Sequence, residues 1–252
     1  LRRLKKDVLR ELPGKEERIV YSAASGRQQK LYTASALKLK EALAGGAWSG
    51  NGKLEVLSQL MRLRQICCDP ALCFEDYTGE SAKLETCVSL IASASAAGHK
   101  ILLFSQFASM LERIRERLLQ EGISSHLLVG ATPKEERSRM VQAFASDEVP
   151  VFLISLKAGG TGLNLTAADI VIHYDPWWNV AAQNQATDRA YRIGQEKPVT
   201  VYKLILKDTI EENLLKLQNA KLALAAQVVS EGMVSLGDLS QNELMELFEQ
   251  NP

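Results

Sequence analysis

Gln185, Arg189 and Arg192 recur at spacings of four and three residues in the run Gln185-Ala-Thr-Asp188-Arg189-Ala-Tyr-Arg192-Ile-Gly-Gln195. On a helix advancing 100° per residue, the three side chains fall within about 60° of one another. One face then carries an amide and two guanidiniums, which is an anion receptor. Planar guanidiniums grip the oxygens of a terminal phosphate bidentately, while the amide fixes orientation. The same spacing also fits a solvated helix face on which Asp188 and Glu196 neutralise the arginines.

A second constellation, Ser155-Leu-Lys157-Ala-Gly159-Gly160-Thr161-Gly162-Leu-Asn164-Leu-Thr166, follows an apolar run. Its glycines let backbone N–H groups approach a phosphate closely, and Lys157, Thr161 and Asn164 supply further donors. A simple tight turn accounts for the glycines equally well. The loop is not a P-loop, because Gly-Leu-Asn stands where Gly-Lys-Ser/Thr is required, and it lacks the spaced glycines of a dinucleotide fingerprint. Tyr174-Asp175-Pro176-Trp177-Trp178-Asn179 places two adjacent tryptophans before an Asn-capped helix. Either one is buried and the other presented to a partner, or both pack beneath the loop. Ser105 and Gln106 offer a hydroxyl and an amide at a strand end, where a phosphate backbone or an ordinary helix cap could use them. His173 lies in an apolar strand and reads as a satisfied core histidine; His99 and His126 carry no signal.

Short apolar strands and longer helices must position these residues. Strands are expected at 18–22, 100–105, 124–129, 151–155, 170–174 and 199–205. Helices are expected at 27–43, 53–67, 81–97, 110–121, 133–145, 180–192 and 209–227, with Thr132 as a cap and Pro133 in the first turn. An amphipathic run from Leu1 to Leu12 precedes them. The first two of those helices form a helical hairpin, separated by a flexible break at Gly45-Gly46 and Ser49-Gly50-Asn51-Gly52 and closed by Asp69-Pro70. Several strands are continuous apolar runs, so both their faces are covered, and the alternation implies a three-layer α/β parallel sheet. Ligands on such sheets bind beyond the carboxyl ends of the strands.

The chain has 252 residues, 30 Lys+Arg against 30 Asp+Glu, and 46% apolar residues. It is long enough to hold a core without disulfide or metal. Zero net charge argues against whole-surface binding to nucleic acid, though not against a local patch. The apolar runs stop far short of the ~20 residues a membrane helix needs. Cys67, Cys68, Cys73 and Cys87 lack the paired short spacings of a zinc site and read as reduced thiols of a cytosolic or nuclear protein. Opening on Leu1 inside a charged amphipathic run, the chain reads as a fragment of something longer.

Taken together and in this order, the motifs resemble the second motor lobe of SWI/SNF-type DNA translocases, RecA-like ATPases of helicase superfamily two. Leu1-Arg-Arg-Leu-Lys-Lys-Asp-Val resembles the lobe-linking segment, and Leu63-Arg64-Gln65-Ile-Cys-Cys-Asp-Pro70 the helical protrusion. Ile101 to Phe107 is similar to motif IV, Ser155 to Thr166 to motif V, Tyr174 to Asn179 to the adjoining tryptophan motif, and Gln185 to Gln195 to motif VI. Val180 departs from the family's usual Pro, and Asp69 from a frequent His.

The resemblance implies a RecA-like lobe at 76–230, with a linking segment at 1–24, a protrusion at 25–75 and a helical tail at 231–252. Arg189 and Arg192 match arginine fingers that reach a nucleotide held by another lobe. Gly160, Gly162, Asn164 and Gln185 would line that cleft, while Ser105, Gln106, Gly130, Lys157, Gly159 and Trp178 would face DNA. ATP with magnesium would be held mainly by an N-terminal lobe, since no Gly-Lys-Thr loop or Asp-Glu-Ala/Gly-His motif occurs here. The implied partners are double-stranded DNA, that lobe and DNA-bound proteins, in the nucleoid of a microbe or the nucleus of a eukaryote. Three other readings remain: a strand-separating DNA or RNA helicase lobe, a non-catalytic docking module, and a small-molecule α/β enzyme.

Overall fold

The computed structural model describes residues 12–24, 26–46, 52–158, 162–225, 245 and 248. The opening run through residue 11, the break at 47–51, Gly159, Gly160, Thr161 and most of the 231–252 tail lie outside the described residues. The elements are β1 (Lys15–Ser22), α1 (Gly26–Ala44), α2 (Gly52–Cys68), α3 (Ala82–Ala96), β2 (Ile101–Ser105), α4 (Ala108–Gln120), β3 (Ser125–Leu128), α5 (Lys134–Ser146), β4 (Val151–Ser155), β5 (Ile170–His173), α6 (Val180–Thr187), β6 (Val199–Leu206) and α7 (Ile210–Ala225). They make an α/β fold on a six-stranded sheet of order β1-β6-β5-β2-β4-β3.

The chain forms two compact units. The first takes the described residues of Leu1–Ile19, Leu90–His173 and Gln183–Lys203. Its centre is β2, paired in parallel with β4 and β5, with Ile101 beside both Val151 and Ile170. Every residue of β2, β4 and β5 is buried, as their unbroken apolar runs require of a sheet covered on both faces. Helix α4 buries Met110, Leu111, Ile114 and Leu118 at helical spacing and leaves Leu119 exposed. The chain leaves β2 toward β3 and leaves β5 toward β6, so the two adjacent strands send their connections to opposite sides.

Two expectations in this unit need correction. Thr132 does not cap α5. Pro133 occupies the cap position without a side-chain bond, and the Thr132 hydroxyl accepts from Val129 N at 3.1 Å. Helix α6 ends at Thr187 instead of running to Arg192. Tertiary bonds hold the segment beyond it: Arg189 O accepts from Leu165 N at 3.1 Å, and Ala190 O from Gln195 Nε2 at 3.2 Å. Tight turns follow, with Arg189 N on Ala186 O, Ala190 N on Thr187 O, and Gly194 at φ +97°.

The second unit takes the described residues of Val20–Ser89, Tyr174–Ala182 and Leu204–Pro252. The expected hairpin of α1 and α2 is present. Tyr32, Leu39 and Leu43 pack with Val56, Leu60, Leu63 and Ile66, and with Leu206, Ile210 and Leu214 around α7. Each such fully buried side chain contributes about 1.5–3 kcal/mol over its exposed state. Two buried polar side chains here are paired: Gln28 donates to Ile66 O and accepts from Ala82 N, and the Tyr32 hydroxyl accepts from Ile210 N at 2.7 Å. Asp69 ends α2 as expected, its carboxylate accepting from Ala71 N at 2.9 Å.

Lys83 and Glu211 form a fully buried pair, the ammonium meeting both carboxylate oxygens at 2.5 and 2.7 Å. Burial disfavours the ammonium charge, but the Glu211 carboxylate more than offsets this and holds the Lys83 pKa above the ordinary lysine range. Glu211 also accepts from Leu206 N at 2.9 Å, tying the start of α7 to the end of β6.

Candidate functional site

Of the three residues in the proposed anion receptor, only Arg189 is enclosed. It is 7% exposed, and its Nε and Nη1 are buried without a hydrogen-bond partner among the described residues. Desolvation depresses its pKa, which is the electrostatic signature of a cation held away from water without a counter-charge. Gln185 and Arg192 are exposed. Because α6 stops at Thr187, the single helical face drawn from residue spacing does not extend to the two arginines.

A residue to which sequence spacing gave no role fixes this turn. Gln195, 7% exposed, donates from Nε2 toward Thr166 O, Ala168 O and Ala190 O at 3.1, 2.8 and 3.2 Å, and its Oε1 accepts from Lys197 N. With the Leu165 N to Arg189 O bond, it binds the end of the glycine loop to the Arg189 turn. Gln195→Ala strips several buried carbonyls of their donor, and the expected loss is about 2–3 kcal/mol of unfolding free energy, read as a lower urea midpoint.

Four proposed DNA-facing residues share one edge of the sheet in the first unit. Ser105 and Ser155 end β2 and β4 in register, with Leu128 of β3 beside Ile154. Gln106, Lys157 and Gly130 follow those strands directly, and Lys157 and Gly130 are exposed. Ser105 differs from them: it is fully buried, and its hydroxyl accepts from Phe107 N at 3.1 Å. Gly162, at φ +32°, and Asn164 are exposed in the glycine loop, while Gly159 and Gly160 lie outside the described residues. Arg137 of α5 braces this edge by donating to Ala158 O at 2.7 Å and Thr132 O at 3.3 Å.

His173 is a core histidine: Nε2 lies 2.8 Å from Thr187 Oγ1, and the ring stacks on Phe104 with centroids 5.7 Å apart. Burial, aided by nearby Lys203 and Lys15, lowers its pKa to about 3. His99 and His126 each meet an aspartate, Asp169 and Asp147.

In the second unit both tryptophans of the Tyr174–Asn179 segment are half-buried. Trp178 packs against the α1–α2 core, its Nε1 buried without a partner among the described residues. The Trp177 carbonyl accepts from Gln218. Asn179 caps α6 through Ala182 N at 3.0 Å, so the cap survives where Val180 opens the helix.

Residues 1–72 match the SNF2-related domain, and residues 82–194 the helicase conserved C-terminal domain. The solved C-terminal domain of the Sulfolobus solfataricus SWI2/SNF2 ATPase is 32% identical, with a TM-score of 0.75 over 93% of this chain and 98% of its own. The chain belongs to the SWI2/SNF2 family. Its parallel sheet with flanking helices is the RecA-like C-terminal lobe of that family. The S. solfataricus SWI2/SNF2 ATPase core in complex with dsDNA is 33% identical, with a TM-score of 0.77, and this chain covers 53% of it. The putative ATP-dependent helicase/translocase YwqA of Bacillus subtilis is 41% identical over 98% of this chain. The SWI2/SNF2 lobe described here spans about a quarter of the length of the curated relatives it matches.

Proposed function

We propose that this lobe is the second half of an ATP-dependent motor moving on double-stranded DNA, and that it completes a nucleotide site built mainly by another lobe. The observation that carries this reading is Arg189, a cation almost wholly desolvated and, among the described residues, lacking a partner at two of its nitrogens. An unpaired buried charge costs several kcal/mol unless an anion meets it. In a SWI2/SNF2 lobe, the fitting anion is the phosphate chain of ATP, whose magnesium the other lobe would hold. Arg189 and the exposed Arg192 would neutralise charge on the transferring phosphoryl group. Gln185, Asn164 and the glycines at 160 and 162 would orient the nucleotide with amide and backbone donors.

In the first unit, Gln106, Gly130 and Lys157, at the carboxyl edge of the sheet, and Gly159 in the following loop would hold the DNA backbone, with Ser105 supporting the turn at the end of β2; in the second unit, Trp178 would be a DNA contact of its own. Phosphate contacts carry no sequence information, so binding is expected to be sequence-tolerant and salt-dependent. The test is an ATPase assay on the 252-residue chain beside the two-lobed parent, with and without duplex DNA. The chain alone should give no hydrolysis above background, and the parent a DNA-stimulated rate. The parent should displace a triplex strand without separating the duplex. DNA-stimulated hydrolysis by the chain alone would show that it needs no second lobe.

A further inference from the structure

The Tyr174–Asn179 segment is held at successive residues by the helices of the second unit. The hydroxyl of Tyr174 donates to Cys68 O at 2.8 Å, and its ring lies 5.0 Å beneath the Lys83 ammonium. The Arg64 guanidinium is 1% exposed, and its Nη2 donates to Pro176 O at 2.6 Å. The same nitrogen is 3.9 Å from the Asp175 carboxylate, which is also 1% exposed, and the guanidinium carbon lies 5.6 Å from the Trp178 ring. Arg64 and Cys68 are one turn apart on α2, so the last turns of one helix grip the segment at two points.

We infer that Arg64 is a positioning residue for DNA engagement: through Pro176 O, Asp175 and the Trp178 ring, it sets the pose in which Trp178 meets the nucleic acid. A guanidinium is suited to this because one planar group can donate to a carbonyl, face a carboxylate and lie across an indole together. Its place on α2 is otherwise hard to explain. Leu60, Leu63, Ile66 and Cys67 fill the same buried face, and a cation there costs desolvation that an aliphatic residue would avoid. The inference rests on the proposed DNA contact of Trp178.

The test uses the two-lobed parent and reads hydrolysis against duplex DNA concentration for Arg64→Lys, Trp178→Ala and the double variant. Lysine keeps the charge beside Asp175 but cannot make the carbonyl bond and the flat ring contact at once. Arg64→Lys should raise the half-maximal DNA concentration about tenfold and leave the DNA-saturated rate within about twofold. The double variant should be no worse than Trp178→Ala, because both changes remove one contact. A DNA constant for Arg64→Lys near wild type, or single effects that multiply in the double variant, overturns the role of Arg64. If Trp178→Ala itself leaves the DNA constant unchanged, the DNA contact fails first and takes the inference with it. Should Arg64→Lys not fold, Tyr174→Phe removes the second grip without touching a charge, and Cys68 O keeps its bond from the Ser81 hydroxyl. That variant should raise the same constant about threefold, and no change would overturn the clamp.

Discussion

Replacing Arg189 or Arg192 with alanine in the two-lobed parent lowers DNA-stimulated ATP turnover about 10³- to 10⁵-fold, the range expected for loss of an arginine finger. That is roughly 4–7 kcal/mol of transition-state stabilisation, while duplex-DNA affinity, set by other residues, stays close to wild type. The two variants should differ in stability. Arg192 is exposed, so its removal leaves unfolding unchanged. Arg189 is desolvated with Nε and Nη1 unpartnered, so Arg189→Met relieves a cost and should hold or raise the urea midpoint of the chain while abolishing turnover in the parent. Single-turnover kinetics and urea unfolding together check both halves. If Arg189→Met lowers the midpoint and DNA affinity as much as it lowers turnover, Arg189 holds the fold and is not aimed at a nucleotide.

The sheet was legible because β2, β4 and β5 are apolar up to their last residue, as strands covered on both faces are, and alternate with longer helices. The hairpin and its stop were equally legible, since Asp69-Pro70 is a local signal that acts wherever it occurs. The end of α6 was not. Nothing between Thr187 and Ile193 breaks a helix, and the bonds that hold the turns there come from Leu165 and Gln195, which lie more than twenty residues before the helix end and just after it. Tertiary bonds of this kind leave no periodic trace. Two buried charges did leave one. Arg64 sits in phase with Leu60, Cys67 and Cys68, and Lys83 with Cys87 and Ile91, so each is a cation on an apolar stripe. Such a residue must find a counter-charge or a carbonyl inside the protein, and both do.

Lys83 carries the largest expected stability effect. Lys83→Met leaves Glu211 buried without its cation, and the expected loss is about 3–5 kcal/mol of unfolding free energy. The loss depends on pH in a defined direction. Without Lys83, desolvation raises the Glu211 pKa in the folded state above its unfolded value, so the carboxyl folds best protonated. Stability of the variant is therefore greatest below the unfolded carboxyl pKa of about 4.3 and falls as pH rises through the raised folded value, so its deficit is larger at pH 8 than at pH 5. Lys83→Met/Glu211→Gln removes the stranded charge, keeps an acceptor for Leu206 N, and should recover most of the loss. Urea midpoints at the two pH values, for the single and double variants, check the argument. A single-variant deficit independent of pH and unrelieved in the double variant would mean that packing, and not the ion pair, sets the effect.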